Sequence, residues 1–355
     1  MSEIIVQERD IIVSGEGALR RITLNRPQAM NALTHDMVVA ITRLLKAWQA
    51  EPDVHVILLD GAGARGFCAG GDIRALYEGA RSGSNFPATF WRDEYRLNAL
   101  IARYPKPMVV LMDGVVMGGG VGLAAYATFR VGTERSAVAM PEVGIGFFPD
   151  VGASFLLARA PGNVGTYLAL SGASIGAADA IYCGLADIHI PLAALADLPA
   201  ALSTCRTRDD VDVLLRRRSV QAAAGYLPAA RSWIDRCFAP DTVEEILGRL
   251  KQCDDSRARE TVGVIEARSP MSLKVTLRHL RAAAAFECVE ECLQQDYRLG
   301  LACIRNHDFL EGVRAAVIDK DRNPRWHPAT IAAVTAEDVD RHFLPHGGPE
   351  LTFHD

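Results

Sequence analysis

Three consecutive glycines at residues 118–120 are the feature that most restricts how this chain can fold. Glycine has no Cβ, so the backbone here can adopt conformations that other residues avoid and can approach another group closely. The N–H groups of such a turn are then available as hydrogen-bond donors. The glycines follow an apolar run at residues 106–113 and precede a helical pattern that we place at residues 123–127. The sequence therefore predicts a tight strand-to-helix turn.

A second glycine turn has the same form. Gly70 and Gly71 follow a short apolar segment and precede a helix that begins near Asp72. Both turns place backbone N–H groups at a helix N-terminus, where unpaired donors and the helix dipole favour negative charge. Two donors that converge on one oxygen form an oxyanion hole, in which each donor contributes roughly 3–4 kcal/mol in acyl transfer. One such turn is explained by chain reversal alone, but two matched turns favour a site.

Two carboxylates follow the second turn. Glu142 stands after a proline at the end of a short strand-like segment, and Asp150 stands in the sequence Phe-Pro-Asp. Hydrogen-bond donors beside a pair of acids are suited to chemistry on a carbonyl group. We therefore expect an enzyme that acts on acyl thioesters. The competing interpretation of Asp150 is an N-cap of the following helix.

The order of apolar segments indicates an α/β fold. Strands are predicted at residues 18–25, 54–60, 106–113 and 137–140, and Thr34 is typical of the N-cap of a helix that continues to about residue 50. Strands that alternate with Gly-rich turns and helices favour sheets that are covered on their faces. From residue 153 onward the pattern is mostly helical. We expect an α/β core at residues 1–190 and a mainly helical region at residues 191–355.

Composition excludes several classes of function. The chain has 355 residues, 49% hydrophobic and 23% charged, as in ordinary globular proteins, and its net charge of −5 argues against a nucleic-acid binder. Its eight cysteines form no C-x-x-C pair and no His/Cys grouping at zinc spacing, so we expect no metal. Acidic residues near the start argue against a secretory signal and a mitochondrial presequence, and no apolar run has the length of a membrane span. We expect a cytoplasmic protein.

Two other motifs are weaker. Residues 172–176 match the G-x-S-x-G pattern of serine hydrolases, but the segment before them resembles a helix rather than a strand. We expect Ser174 to be the N-cap of a helix at residues 177–182. Residues 120–125 imitate a dinucleotide-binding turn, although no second half of such a domain follows.

Several segments together resemble the crotonase superfamily. They are residues 67–74 (FCAGGDIR), 117–122 (MGGGVG) and 140–150 (MPEVGIGFFPD), and residues 26–33 (RPQAMNAL) resemble its N-terminal signature. More narrowly, about residues 11–344 are similar to its 3-hydroxyisobutyryl-CoA hydrolase branch. Five further segments support that branch: 91–95 (WRDEY), 269–274 (SPMSLK), 306–309 (NHDF), 311–315 (EGVRA) and 318–321 (IDKD).

The resemblance implies a fold and a role for individual residues. The fold would be a spiral of β-β-α turns with a C-terminal helical region, and residues 1–190 would hold the CoA-binding and catalytic site. Gly71 and Gly119 match the two amides that polarise the thioester carbonyl in this superfamily. Glu142 matches a catalytic carboxylate that hydratases and hydrolases share. Asp150 matches the second acid of the hydrolase branch, and Glu94 matches an acid that contacts the substrate there; the competing interpretation of Glu94 is a solvent-facing acid in a charged run.

One departure from the hydratase pattern favours hydrolysis. Hydratases carry a further Glu two residues after the glycine triplet, where this chain has Gly122. The resemblance therefore implies hydrolysis of a short branched 3-hydroxyacyl-CoA, as in valine breakdown, with Glu142 as nucleophile or as general base. It implies no cofactor apart from the CoA of the substrate, no nucleic-acid or membrane partner, and a possible homo-oligomer. The alternatives are an enoyl-CoA hydratase or isomerase, and a non-catalytic scaffold that binds acyl-CoA.

Overall fold

The structure of the chain is a computed structural model that describes residues 3–8, 10–345 and 347–353. The strands within these ranges form two sheets. They are β1 (Glu3–Glu8), β2 (Ile11–Glu16), β3 (Leu19–Leu24), β4 (Val56–Gly61), β5 (Gly66–Cys68), β6 (Met108–Met112), β7 (Val115–Met117), β8 (Phe129–Gly132), β9 (Ala137–Ala139) and β10 (Ile188–His189).

The helices lie between and after these strands, and after β10 every regular element of the described chain is helical. They are α1 (His35–Ala50), α2 (Ile73–Arg81), α3 (Phe86–Ala102), α4 (Gly119–Ala124), α5 (Ala153–Leu157), α6 (Val164–Ser171), α7 (Ala177–Tyr182), α8 (Leu198–Leu202), α9 (Arg208–Arg218), α10 (Leu227–Phe238), α11 (Val243–Lys251), α12 (Ser256–Glu266), α13 (Pro270–Ala283), α14 (Val289–Cys303), α15 (His307–Val313) and α16 (Ala336–His342).

Shorter turns complete the structure. Within the described residues four segments form 3₁₀ turns, namely Pro27–Ala29, Glu142–Ile145, Leu192–Ala194 and Ile331–Ala333, and Arg314–Ile318 forms a π-helical turn. None of the helices in the described ranges combines the length and the hydrophobicity that a membrane crossing requires.

The chain divides into two compact units, each assembled from separate stretches of sequence. The first comprises residues 1–71, 96–138 and 175–225, and the second comprises residues 72–95, 139–174 and 226–355. The boundary that we place near residue 190, between an α/β core and a mainly helical region, stays a prediction.

The large sheet of the first unit has the strand order β1-β2-β3-β4-β6-β8-β10. The pairs β1/β2 and β2/β3 are antiparallel, whereas β3, β4, β6, β8 and β10 run parallel to one another. Alternate residues of the parallel strands share one face, which packs against α8 and α9. This core contains Leu19, Val56, Leu58, Val109, Leu111, Phe129, Val131, Ile188, Ile190, Leu195, Leu198, Leu202, Cys205, Val211 and Leu215. Because the intervening residues of β4 and β6 are also buried, the prediction of a sheet covered on both faces is confirmed.

The small sheet has the order β5-β7-β9, with β5 and β7 parallel. Its strands carry the two glycine turns, because β5 ends two residues before Gly70 and β7 ends immediately before Gly118. One prediction is wrong here. The helix that we placed at residues 123–127 is α4, which begins at Gly119 and ends at Ala124, so the glycines form its first turn.

Asn31 fixes the chain beside the first glycine turn. It is fully buried in a left-handed conformation (φ 55°), which Asn tolerates better than most residues. Its Oδ1 accepts the N–H of Arg26 (2.9 Å), and its Nδ2 donates to the carbonyls of Ala62 and Gly66 (both 3.0 Å). The side chain therefore ties three segments of the first unit together just before the 67–71 turn.

The substitution Asn31→Asp is expected to lower the free energy of unfolding by about 2–4 kcal/mol, because two buried carbonyls lose their donor and face a carboxylate. Urea or thermal unfolding followed by circular dichroism measures this change. The matched control is Gln28→Ala in the same turn, which is exposed and should change the free energy by less than about 0.5 kcal/mol. An Asn31→Asp variant as stable as the native chain would contradict the role of Asn31.

Candidate functional site

The two glycine turns of the first unit need glycine for conformational reasons. Gly70 has φ 109° and Gly118 has φ 51°, a region in which side chains are strained. Leu33 donates its N–H to the carbonyl of Gly70 (2.8 Å). This hydrogen bond therefore involves the carbonyl of Gly70 and not the N–H of Gly71. Gly119 is the first residue of α4, where a helix supplies no acceptor for the N–H group.

The two turns lie side by side. A Cβ added to Gly70 would stand 3.3 Å from the carbonyl oxygen of Met117 and 3.6 Å from the backbone nitrogen of Gly119. A Cβ added to Gly120 would clash with the Cys68 carbonyl oxygen, so α4 packs directly on β5. The structure thus brings together the turns that hold the two predicted amides. That these amides bind a thioester oxygen stays a prediction.

The three predicted acids form one buried cluster in the second unit. Glu94 is 2% exposed, Glu142 is 7% exposed and Asp150 is 6% exposed. Coulombic repulsion couples Asp150 to both glutamates. The competing interpretation of Glu94 as a solvent-facing acid is wrong, because helix packing buries this part of α3.

The interpretation of Asp150 as an N-cap is also wrong. The residue at the N-cap of α5 is Gly152, and no side chain caps this helix. Oδ2 of Asp150 instead accepts the hydroxyl of Tyr95 at 2.7 Å. The carboxylate of Asp150 therefore faces the acid cluster and not the helix.

Aromatic side chains surround the segment that joins Glu142 to Asp150. Phe147 stacks on Trp91 with ring centroids 5.2 Å apart, and it contacts Phe148 and Phe309 at 4.6 and 5.7 Å. A Cβ at Gly300 would lie 3.3 Å from the Trp91 ring, so α14 closes over the same rings. This apolar packing excludes water and desolvates the neighbouring carboxylates.

The C-terminal helices hold the 3₁₀ turn that begins at Glu142. Ser269 donates its N–H to the carbonyl of Val143 (3.1 Å), and its hydroxyl donates to Asp308 (2.5 Å). Gly146 and Gly312 allow α15 to touch this turn, since a Cβ on either would clash with backbone atoms of the other segment. The segments 269–274 and 306–309 of the sequence analysis therefore support the loop that carries Glu142.

A second layer behind Asp150 could not be recognised in the sequence. Asp296 of α14 accepts the N–H of Gly152 (2.8 Å) and pairs with His279 of α13 (Oδ1 to Nε2, 2.6 Å). Both side chains are completely buried. Their spacing along the chain follows no motif, so only the packing of two helices brings them together.

Burial shifts the pKa of every acid in the cluster upward. The pKa of Glu142 is raised well above its ordinary value of 4.5, first by burial and then by repulsion from Asp150. The pKa of Glu94 is raised well above 4.5 for the same two reasons. Burial and the charge of Asp296 raise the pKa of Asp150 to about 7, although the hydrogen bond from Tyr95 opposes this shift. Near neutral pH the three carboxyl groups therefore share protons and do not ionise independently of one another.

His279, Cys292 and Asp296 are a group of possible metal ligands, since their donor atoms lie within 4.8 Å of one another. The 2.6 Å separation of Nε2 and Oδ1 is a hydrogen-bond distance, and burial raises the pKa of the Cys292 thiol well above its ordinary value. A protonated thiol beside a closed His–Asp pair does not fit a metal site. The group is better described as the second layer behind Asp150.

The serine-hydrolase motif has no catalytic setting. The helix α6 precedes residues 172–176, as expected, and the predicted helix at residues 177–182 is present as α7. Ser174 is not its N-cap, because Gly176 occupies that position and no side chain caps the helix.

Two solved structures share this fold over nearly the whole chain. One is described as a carnitinyl-CoA dehydratase from Mycobacterium thermoresistibile, with a TM-score of 0.93, 46% identity and coverage of 98% of this chain and 99% of that one. The other is described as an enoyl-CoA hydratase from Rhodobacter sphaeroides 2.4.1, with a TM-score of 0.91, 43% identity and coverage of 97% and 100%. The fold is therefore the crotonase-like α/β fold, as predicted.

The protein family described as enoyl-CoA hydratase/isomerase matches residues 19–343. Among curated proteins, the mitochondrial 3-hydroxyisobutyryl-CoA hydrolases of Rattus norvegicus and Homo sapiens are 41% and 39% identical to this chain over 97% of its length and 91% of theirs. The chain belongs to the enoyl-CoA hydratase/isomerase family, within the branch of the 3-hydroxyisobutyryl-CoA hydrolases. The predicted resemblance is confirmed.

Glu142→Gln is expected to raise the melting temperature at pH 8 by roughly 2–6 °C. A raised carboxyl pKa means that the unfolded chain releases its proton first, so the native carboxyl destabilises the fold as pH rises above 4.5. The gain in melting temperature should shrink as the pH falls toward 4.5 and below, where the carboxyl becomes protonated in both the folded and the unfolded chain. Calorimetric melts at several pH values measure it.

The control for this experiment is Glu260→Gln, which removes an exposed glutamate from α12. Its melting temperature should follow that of the native chain at every pH. A Glu142→Gln variant that is less stable at pH 8 than at pH 5, relative to the native chain, would contradict the burial of an acid with a raised pKa.

Proposed function

We propose that this protein hydrolyses the CoA thioester of a short branched 3-hydroxyacyl group, converting 3-hydroxyisobutyryl-CoA to 3-hydroxyisobutyrate and CoA. The observation that carries the proposal is the buried cluster of Glu94, Glu142 and Asp150, whose acids have raised pKa values. Perturbed acids in a water-poor site are typical of acid–base and nucleophilic catalysis. The names of the curated relatives support the choice of substrate.

In this proposal the amides of Gly71 and Gly119 donate to the thioester oxygen, so that negative charge developing on this oxygen is stabilised. In its ionised form Glu142 can promote hydrolysis in either of two ways. Its carboxylate attacks the carbonyl carbon and expels the CoA thiolate, and water then hydrolyses the resulting anhydride. Alternatively, it takes a proton from the water that attacks the carbonyl. The unpaired Oε2 of Glu142 suits either role, because no donor among the described residues occupies it.

The other two acids contribute protons and orientation. Asp150, with a pKa of about 7, exists in both protonation states near neutrality and can exchange a proton with water or with the leaving group. Burial raises the pKa of Glu94 and so favours its protonated form, and its Oε1 has no partner within the described residues. A protonated carboxyl can donate to the 3-hydroxyl of the acyl group. We propose this contact for Glu94 and a contact to the same hydroxyl for Asp150.

Hydration of an enoyl-CoA is the second candidate, because the two similar solved structures are described as a dehydratase and a hydratase. Position 122 disfavours it. The hydratase pattern places an acid there, whereas Gly122 lies buried in α4 and has no side chain to transfer a proton. Asp150 offers a second acid, but from the loop after Glu142.

An acyl-CoA panel separates these functions. With 3-hydroxyisobutyryl-CoA, thiol release measured with a thiol reagent should be rapid, and Glu142→Gln should lower kcat at least about 1,000-fold because the nucleophile or base is lost. Asp150→Asn should lower it about 10- to 1,000-fold. The exposed Glu260→Gln should have no effect. Double-bond hydration without thiol release would identify a hydratase, and an absence of turnover on every thioester would identify a binding scaffold; both would refute the proposal.

The pH dependence should respond in opposite directions to two further substitutions. If ionised Asp150 is the active form, kcat/KM rises with pH through about 7. Tyr95→Phe removes a hydrogen bond that lowers the pKa of Asp150. The rising limb of the plot of kcat/KM against pH should therefore move to higher pH. Asp296→Asn removes a charge that raises this pKa, so the limb should move to lower pH. Limbs that move in the same direction, or remain fixed, would contradict the assignment.

The remaining features of the proposal concern the cellular context. Hydrolysis by this route needs no metal or redox cofactor, and we propose none apart from the CoA of the substrate. A role in valine degradation follows from the proposed substrate, and the helical C-terminal region is the proposed site of any self-association. We keep the cytoplasm as the proposed location, although the curated relatives are described as mitochondrial.

A further inference from the structure

Two cysteines far from each other in sequence meet in the C-terminal part of the second unit. Cys237 is the penultimate residue of α10, and Cys253 lies between α11 and α12. Both are buried and reduced, Arg236, which precedes Cys237 in the chain, donates to the sulfur of Cys253, and each thiol shifts the pKa of the other. The sequence offered no signal for this pair, because the two lie sixteen positions apart and no C-x-x-C motif is present.

Three donors converge on the sulfur of Cys253. The guanidinium of Arg236 donates to Sγ at 3.3 Å. The backbone N–H of Asp255, at the N-cap of α12, and the thiol of Cys237 also act on this sulfur as donors, and both lower its pKa. Arg259 also donates to the backbone carbonyl of Cys253 (2.7 Å), which fixes the residue in this position. This arrangement solvates a thiolate much as an oxyanion hole solvates an oxygen anion.

The electrostatics of the two sulfurs are opposite. Burial alone would raise the pKa of Cys253, but the hydrogen bonds from Asp255, Arg236 and Cys237 outweigh it and leave this pKa below its ordinary value. Burial and the neighbouring Cys253 raise the pKa of Cys237 to about 11. The pair therefore consists of one sulfur that favours the thiolate and one that keeps its proton.

The pKa values of four other buried cysteines are shifted in the direction opposite to that of Cys253. Burial raises the pKa of Cys183 to about 12 and also raises the pKa values of Cys205, Cys292 and Cys303. The thiolate is the form that reacts with oxidants, so these four thiols should be unreactive. Cys288 is exposed and serves as a solvent-accessible reference.

We propose that Cys253 is an oxidation site, and that a hydroperoxide converts the Cys253 and Cys237 pair to an intramolecular disulfide. The Cys253 thiolate attacks one peroxide oxygen, the O–O bond breaks, and hydrogen peroxide leaves hydroxide and a sulfenic acid on Cys253. The Cys237 sulfur then attacks the sulfenic sulfur. Its proton and the departing hydroxyl form water, and the disulfide remains. The peroxide is reduced by two electrons, and the two thiols are oxidised by two.

Oxidation of the folded, full-length chain with hydrogen peroxide tests the proposal without reference to thioester hydrolysis. The intact mass should fall by about 2 Da, and peptide mass spectrometry should find Cys237 joined to Cys253. Dithiothreitol should restore the original mass. The Cys288→Ser control should form the same disulfide at the same rate.

Single substitutions separate the two steps. In Cys237→Ser the reaction should stop at a sulfenic acid on Cys253, seen as a dimedone adduct on that residue. In Cys253→Ser no disulfide should form and Cys237 should remain reduced. Arg236→Gln should slow oxidation about 3- to 10-fold, because one of the three donors is lost, while the melting temperature stays near the native value.

Two results would overturn the proposal. One is oxidation of Cys288 under conditions in which Cys237 and Cys253 both remain reduced. The other is an unchanged oxidation rate in Arg236→Gln together with no dimedone adduct on Cys253 in Cys237→Ser. Because every readout is a mass or a rate of thiol oxidation, loss of the proposed hydrolase function would not affect the result.

Discussion

The second unit is built around carboxyl groups that are buried close to one another. A carboxylate that leaves water loses favourable hydration, and a second carboxylate nearby adds repulsion, so the pKa values of Glu94, Glu142 and Asp150 all rise. Such an arrangement persists only where the surrounding structure holds it. The aromatic rings around Phe147 and the hydrogen bonds from Ser269 provide this support. The destabilising acids and the helices that hold them therefore depend on each other.

The first unit shows a similar dependence of the turns on their surroundings. Gly70, Gly118 and Gly120 allow two strand-to-helix turns to touch, and a Cβ at these positions would strain the backbone or meet neighbouring atoms. Asn31 holds one of these turns through hydrogen bonds to three segments. In both units, residues with no direct chemical role thus determine where the predicted functional groups lie.

Local signals made much of the fold predictable. The helix α1 begins after Thr34, whose hydroxyl accepts the N–H of Met37 as an N-cap does, and β3, β4, β6 and β9 lie within the predicted strand segments to within a residue. The same local reasoning was wrong for the glycine triplet and for Ser174. Packing of α4 on β5 makes a helical turn from glycines that intrinsic propensity disfavours, and α7 begins without a side-chain cap.

The site was predictable only where a motif carried it. The glycine turns, Glu142 and Asp150 were recognised from the glycine-rich segments and the acids that follow them, and the resemblance to a known family assigned them roles. The burial of Glu94 depends on which face of α3 meets the rest of the second unit, and a charged run gives no indication of that face. His279 with Asp296, and Cys237 with Cys253, are pairs made by helix packing. Contacts of this kind have no periodicity in the sequence.

Infrared difference spectroscopy across pH tests the central claim most directly, because a protonated carboxyl has a carbonyl stretch that a carboxylate lacks. The account predicts protonated-carboxyl bands that persist to higher pH than those of exposed carboxyls, with one band lost in Glu142→Gln and another lost in Glu94→Gln. If every carboxyl band instead disappears near pH 4.5, or if neither substitution changes the bands that persist, these acids titrate as in water and the account is contradicted.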